Sequence, residues 1–256
     1  MKYFVRPPVD AYLSAESNYC EGCKTYTEYN YLKPGLASQI KSWHFETALE
    51  LTKDYFHHCN VVDFGCADGA FLPSLSKHFA HVYAVDRNPG FVKTASGLVR
   101  TMGLGNVELL CNDGLSIEDV RSRLSGREYQ VLYLLETLEH VGDNSALYPS
   151  KIRFLEEIAS LISKDGVIVI SVPNMIGLFF LIQRIGLASI GALREPVSLG
   201  NLLKASFLGN TVDLEKRWDG GHLGFNHRKL EDCMKSEFRI LRKKHIMFQI
   251  VYVITK

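Results

Sequence analysis

From Asn60 to Asn174 the chain alternates between short, almost wholly apolar runs and longer stretches with helical spacing. NVVDFG reads as a strand and DGAFLPSLSKHF as a helix beginning near Gly69. HVYAVD reads as a strand, and NPGFVKTASGLVRTMG as a helix ended by its glycine. VELLCND, YQVLYLLE and GVIVISVPN are three further strands, the last stopped by Pro173. SIEDVRSRLSG and KIRFLEEIASLISKDG are two further helices, the second with a charged C-terminal turn. Strands that alternate with helices predict βαβ units and a mainly parallel, doubly wound α/β sheet covered on both faces. Near-continuous apolar strands are what burial on both faces requires.

The flanks follow other rhythms. The N-terminal part is Tyr-rich and polar until a helical stretch from Ile40 to Phe56, in which Ile40, Trp43, Leu51 and Tyr55 can share part of a face. After Asn174 comes a long apolar segment, Met175 to Asn210, poor in acids. RKLEDCMKSEF then reads as a helix, and FRILRKKH and MFQIVYVITK as a hairpin-like antiparallel edge on the parallel sheet. The organisation expected is one domain, 1–256. It comprises an N-terminal helical extension (1–58), a core (59–174), a helical cap insertion (175–220) and a C-terminal helix with strands (221–256).

Composition narrows the partners. Hydrophobic residues are 46%, enough for a sizeable core, and 29 Lys+Arg against 28 Asp+Glu leave a formal charge of +1. No basic excess points to nucleic acid. MKYFVRPPVDAYLS lacks the apolar core of a signal peptide, and no segment reaches the ~20 apolar residues of a membrane span, so a cytoplasmic protein is expected. Cys59, Cys66, Cys111 and Cys233 lie in or beside apolar segments and read as small core residues. Cys20 and Cys23 form a lone CxxC without the second pair a zinc knuckle needs, and read as a loop with two free thiols.

The chemistry concentrates in VVDFGCADGAF, Val61 to Phe71. In a doubly wound sheet, ligands bind beyond the carboxyl ends of the strands. Glycines there let the backbone turn tightly and approach a ligand. G-C-A-D-G fits neither the dinucleotide fingerprint nor a P-loop. Asp63 and Asp68 around the turn suit a cationic or polyhydroxylated ligand rather than an anion.

These residues resemble the class I S-adenosylmethionine-dependent methyltransferases. VVDFGCADG looks like their first motif, HVYAVD their second strand, CNDG the element beside adenine, and YQVLYLLETLEHVGD the fourth strand and its loop. The resemblance covers Asn60 to Asn174 and implies a Rossmann-like fold and S-adenosylmethionine as methyl donor. It implies Asp63, Gly65, Ala67, Gly69, Asp86, Arg87, Asp113, Gly114 and Glu136 as cofactor residues. Asp86 would accept from the ribose hydroxyls, and the Arg87 stem would pack near adenine.

On the acceptor side, ETLEHV brings Glu136, Glu139 and His140 together, and WDGGHLGFNHRKLE adds His222. The pattern is similar to the ubiquinone-biosynthesis O-methyltransferases, with a Glu-x-x-Glu-His-Val stretch and a divalent ion, and to the small-RNA 3′-terminal 2′-O-methyltransferases, in which Glu-x-x-Glu-His and a later His bind magnesium. No metal is expected here, although Glu136, Glu139, His140 and His222 would be its ligands. His140 and His222 are expected instead to act as base or to orient the acceptor. The apolar insertion, Phe179 to Ile190, has three readings: a buried cap, a pocket for a small or lipid-like acceptor, or peripheral membrane contact through 175–195 with Arg184, Arg194 and Lys204 toward headgroups. The reaction expected is methyl transfer to an O or N nucleophile of a small or lipid-like molecule. A metal-assisted RNA 2′-O-methyltransferase, a non-catalytic cofactor-binding module and a nicotinamide-dependent oxidoreductase stand as alternatives.

Overall fold

The computed structural model describes residues 2–12, 15, 22–124, 126–189, 191 and 196–256. Cys20, Ile190 and Arg194 lie outside the described residues. The chain divides into two compact units, Met1–Leu135 with Glu157–Val169, and Glu136–Glu156 with Ile170–Lys256.

The first unit holds α1 (Leu36–Thr52), β1 (Asn60–Phe64), α2 (Leu72–His78), β2 (His81–Asp86), α3 (Pro89–Met102), β3 (Val107–Cys111), α4 (Ile117–Arg123) and β4 (Val131–Leu135). β1 pairs in parallel with β2 and with β4, and β2 with β3. Helix ends follow local chemistry. The Asn88 side chain accepts from the amides of Gly90 and Phe91 at the start of α3, and left-handed Gly103 closes it. Ser116 and Asp119 form a reciprocal capping box on α4. β1, β2 and β4 are almost wholly buried, as their sequences require, whereas β3 is half-exposed at the sheet edge.

The buried face of α1 differs from the expected one. Ser38, Ser42, Phe45, Ala48, Leu49 and Thr52 point inward, while Ile40, Trp43 and Leu51 are only half-buried. Small polar residues can face inward because their hydroxyls bond within the helix: Ser42 Oγ donates to the Ser38 carbonyl and Thr52 Oγ1 to that of Ala48. Phe45 stacks on Phe71, which meets the buried Tyr133 edge-on. The N-terminal extension packs Ala11 and Tyr12 against Leu98 of α3.

The second unit contains most of α5 (Leu147–Ile158), then α6 (Gly177–Ser189), α7 (Leu199–Leu208), α8 (Val212–Glu215), α9 (His227–Glu237), β6 (Arg239–Ile246) and β7 (Gln249–Thr255). β5 (Val167–Pro173) crosses the dividing line, and the strand order is β3-β2-β1-β4-β5-β7-β6. β6 and β7 are antiparallel, with a register irregularity between Ile240 and Arg242. α5 begins four residues before Lys151, because Pro149 falls in its first turn, where no amide is needed. It ends at Ile158, so the charged turn expected at its C-terminus lies beyond it.

The insertion is helical but not simply a buried cap. Phe180 and Arg184 are buried, whereas Leu178, Ile182 and Ile185 on α6 and Leu199, Leu203 and Phe207 on α7 are exposed. Arg184 is therefore not placed toward headgroups, and Lys204 pairs with Asp213. Among the described residues, no helix is long and apolar enough to cross a membrane. Cys23, Cys59 and Cys66 are buried free thiols, while Cys111 and Cys233 are only half-buried.

Candidate functional site

In the first unit the chain leaves β1 through a turn with three left-handed positions: Gly65 (φ 85°), Ala67 (φ 47°) and Gly69 (φ 93°). The amides of Gly65 and Cys66 both donate to the Val85 carbonyl, and the Ala67 amide donates to Asp86 Oδ2 at 2.8 Å. Asp86 Oδ1 accepts from the Asn88 amide at 2.8 Å. One carboxylate at the end of β2 thus holds both its own turn and the loop after β1. Any side chain at Gly69 would press on Leu98 and Leu72 at 3.0–3.1 Å, so the loop lies tight against α3.

Two expectations about this loop change. α2 starts at Leu72, not near Gly69, because Gly69 is left-handed and its amide closes back on the Cys66 carbonyl. Asp68 is not offered to a ligand: Thr27 donates its amide to Oδ2 at 2.8 Å and its hydroxyl to Oδ1. Thr27 was invisible in the sequence because the contact spans 41 residues.

Asp63 is different. It is buried, and its Oδ2 has no hydrogen-bond partner. Burial, and then the Asp86 charge, push its carboxyl up to about 7. An orphaned buried acid oxygen beside a glycine turn fits a donor that carries cationic groups. The Asn112 side-chain oxygen, Oδ1, is likewise buried and unpartnered, and the Asn112 backbone amide donates to the Asp86 carbonyl. Asn112 went unremarked beside Asp113, which with Gly114 and Arg87 lies exposed.

Linkage gives a test. Asp63 ionises near 3.8 when unfolded and near 7 when folded, so the folded state binds more protons between those values. Stability from this group is present at low pH and falls as pH rises to about 7, by at most about 1.4 kcal/mol per pH unit. Asp63→Asn, without bound cofactor, should therefore gain on wild type as pH climbs from 4 to 7, the gap in Tm then staying level. A pH-independent gap would remove this assignment.

The acceptor-side residues lie in the second unit. Glu139 and His140 sit in a single turn of 3₁₀ helix, Leu138–His140, and His222 in the loop before Asn226, which caps α9. The two histidine Nε2 atoms are 3.3 Å apart. Glu139 Oε1 is 3.4 Å from His222 Nε2 and 3.7 Å from His140 Nε2. Glu139 is fully buried with no hydrogen-bond partner for either oxygen, and burial, then the charge of Glu136, raise its carboxyl well above the usual range. His140 Nδ1 lies 2.5 Å from the Gly220 carbonyl. A carbonyl only accepts, so Nδ1 carries a proton, and in the neutral ring Nε2 keeps its lone pair.

Three of the four expected metal candidates converge; Glu136 does not. Its Oε1 accepts from Ser171 Oγ at 2.8 Å, and its amide is held by the same serine. Among the described residues, Glu139, His140 and His222 form a group whose ligand atoms lie within 4.8 Å of one another.

Residues 32–210 match the family described as a methyltransferase domain. The chain belongs to that family. The family fixes the reaction class as methyl transfer and, with the class I fold, S-adenosylmethionine as donor. Solved structures share the fold of this methyltransferase. The PH0226 protein from Pyrococcus horikoshii matches with a TM-score of 0.60 and 14% identity, over 93% of this chain and 99% of that one. A SAM dependent methyltransferase from Aquifex aeolicus matches with a TM-score of 0.52 and 16% identity, over 86% and 98%. A S-adenosylmethionine-dependent methyltransferase from Clostridium acetobutylicum matches with a TM-score of 0.55 and 12% identity, over 90% and 95%. At such identities the likeness is one of fold. No match is found among curated proteins.

Proposed function

We propose that this methyltransferase passes the methyl group to an oxygen or nitrogen nucleophile of a small or lipid-like molecule, with His140 taking up the nucleophile's proton. The observation that carries this reading is the contact of His140 Nδ1 with the Gly220 carbonyl, which fixes the tautomer of the neutral ring. Its Nδ1–H is committed to Gly220, so Nε2 is a proton acceptor held beside His222. The donor supplies an activated methyl on a sulfonium; the chain supplies a fixed base and a second histidine to orient the acceptor. Asp63, Asp86 and the turn from Gly65 to Gly69 would hold the donor, with Asp86 on the ribose hydroxyls. The exposed apolar faces of α6 and α7 support an acceptor with hydrocarbon character, and equally contact with a membrane surface.

A second reading has its own observation. Ligands about 2.1 Å from a divalent ion stand roughly 3.0–3.4 Å apart, near the separations within the Glu139, His140 and His222 group. That favours metal-assisted transfer to a hydroxyl, an RNA 2′-hydroxyl among them. The Glu136 carboxylate, held by Ser171, and a formal charge of +1 weigh against RNA.

One experiment separates the readings. S-adenosylhomocysteine is titrated calorimetrically with and without magnesium, and labelled donor is offered with a lipid extract or with RNA. We expect binding without magnesium, label in the lipid fraction, and affinity weakened by about 1–3 kcal/mol in Asp86→Ala, which loses a charged acceptor. Magnesium-dependent label in RNA would replace the first reading by the second. A folded Asp86→Ala that binds as wild type would remove the ribose assignment.

A further inference from the structure

Lys151 is the one fully buried lysine among the described residues. It lies in the second turn of α5, in the same unit as the histidine pair. Its ammonium donates to three carbonyls of one turn: Leu138 at 3.0 Å, Glu139 at 2.9 Å and Val141 at 2.5 Å. A lysine ammonium has three protons, so its donors are all used. The charge also stands 4.7 Å from the centre of the Trp218 ring and 5.8 Å from that of Phe225. The Trp218 indole N–H in turn donates to the Gly221 carbonyl at 2.8 Å. Gly221 lies between Gly220, whose carbonyl receives the His140 proton, and His222.

One cation therefore ties together the two segments that carry the site. It grips the 138–141 turn through its carbonyls and the 218–222 loop through an aromatic face. Burying a charge is costly unless it is fully solvated by the protein. Burial indeed draws the Lys151 ammonium down to about 8, with the Glu139 charge opposing the change. A core position on a helix is served more simply by leucine or methionine. A lysine there answers to the carbonyls of the turn: it adds a second donor to that of Leu138, which already accepts from the Val141 amide, and donates to those of Glu139 and Val141.

We infer that Lys151 is a positioning residue for methyl transfer: by clamping the 138–141 turn to the 218–222 loop it holds His140 in the Nδ1–H tautomer with Nε2 turned to His222. The inference rests on the reading of His140 given above.

The test is imidazole nitrogen NMR on protein labelled at histidine, at a pH where the rings are neutral, with His140 assigned by His140→Asn. Lys151→Met keeps the volume and removes the donors. It is first checked for a cooperative melt and for wild-type affinity toward S-adenosylhomocysteine. The expected result is a wild-type His140 almost wholly Nδ1–H, and a variant in which that form falls to a minority. A purely structural lysine would lower Tm and leave the tautomer alone, so a folded variant that keeps Nδ1–H overturns the inference while leaving the functional reading intact. A wild-type His140 already in the Nε2–H form overturns both. Should Lys151→Met not fold, Lys151→Gln, with two neutral donors, is read the same way: loss of the Nδ1–H form supports the inference and its retention overturns it.

Discussion

His140→Asn should slow methyl transfer by about 10²–10⁴-fold, while affinity for S-adenosylhomocysteine stays at the wild-type value. Asparagine is chosen because its amide nitrogen stands where Nδ1 does and can still donate to the Gly220 carbonyl. The loop tether is kept and only the Nε2 lone pair is lost. The loss should fall on kcat, since the proton moves only as the new bond to carbon forms. The measurement is label transfer at saturating donor, across pH, into whichever acceptor fraction proves active. A rate within a few-fold of wild type would mean that the nucleophile needs no base or finds one elsewhere.

Gly224→Ala should destabilise the fold by about 2–4 kcal/mol, lowering Tm by roughly 5–15 °C. Gly224 has φ 89°, and a Cβ there would lie 2.6 Å from the Leu214 carbonyl oxygen and 2.8–2.9 Å from the next backbone atoms. The atoms met belong to the backbone of α8, which cannot swing aside as a side chain does. Strain and clash therefore add. Gly97→Ala in α3 is the control: its Cβ meets nothing within 4 Å, and alanine suits a helix. Thermal melts of the two variants should separate widely. Equal melts would mean that the 220–226 loop does not take this path.

Much of the fold could be read in the sequence because its signals are local. HVYAVD coincides with β2, and Asn88, Gly103 and Ser116 mark helix ends where their side chains or φ values dictate. The cluster of Glu139 and His140 with His222 could be anticipated as a pattern of residue types. What could not be read depends on contacts distant along the chain. Glu136 was drawn to Ser171, Asp68 to Thr27, and the clamp on the 138–141 turn came from an ordinary-looking lysine. Helical spacing weighted by side-chain size turns Ile40, Trp43 and Leu51 inward on α1, whereas small hydroxyl residues take that face because they satisfy themselves on the helix backbone. The exposed apolar residues of α6 and α7 could not be told from core, since composition carries no information about what lies opposite.

Among the described residues β6 is the last strand of the sheet, with β7 on its one paired side. Such an edge is a template for a strand from another molecule. Here it carries Arg239, Arg242, Lys243, Lys244 and His245, and breaks register between Ile240 and Arg242. Two copies meeting edge to edge would bring like charges together on strands that are no longer straight. Repulsion of that kind is strong in dilute buffer and fades as salt shortens its reach to about 3 Å at molar strength. Edge-to-edge pairing through β6 should therefore be opposed most in dilute buffer and least at high salt.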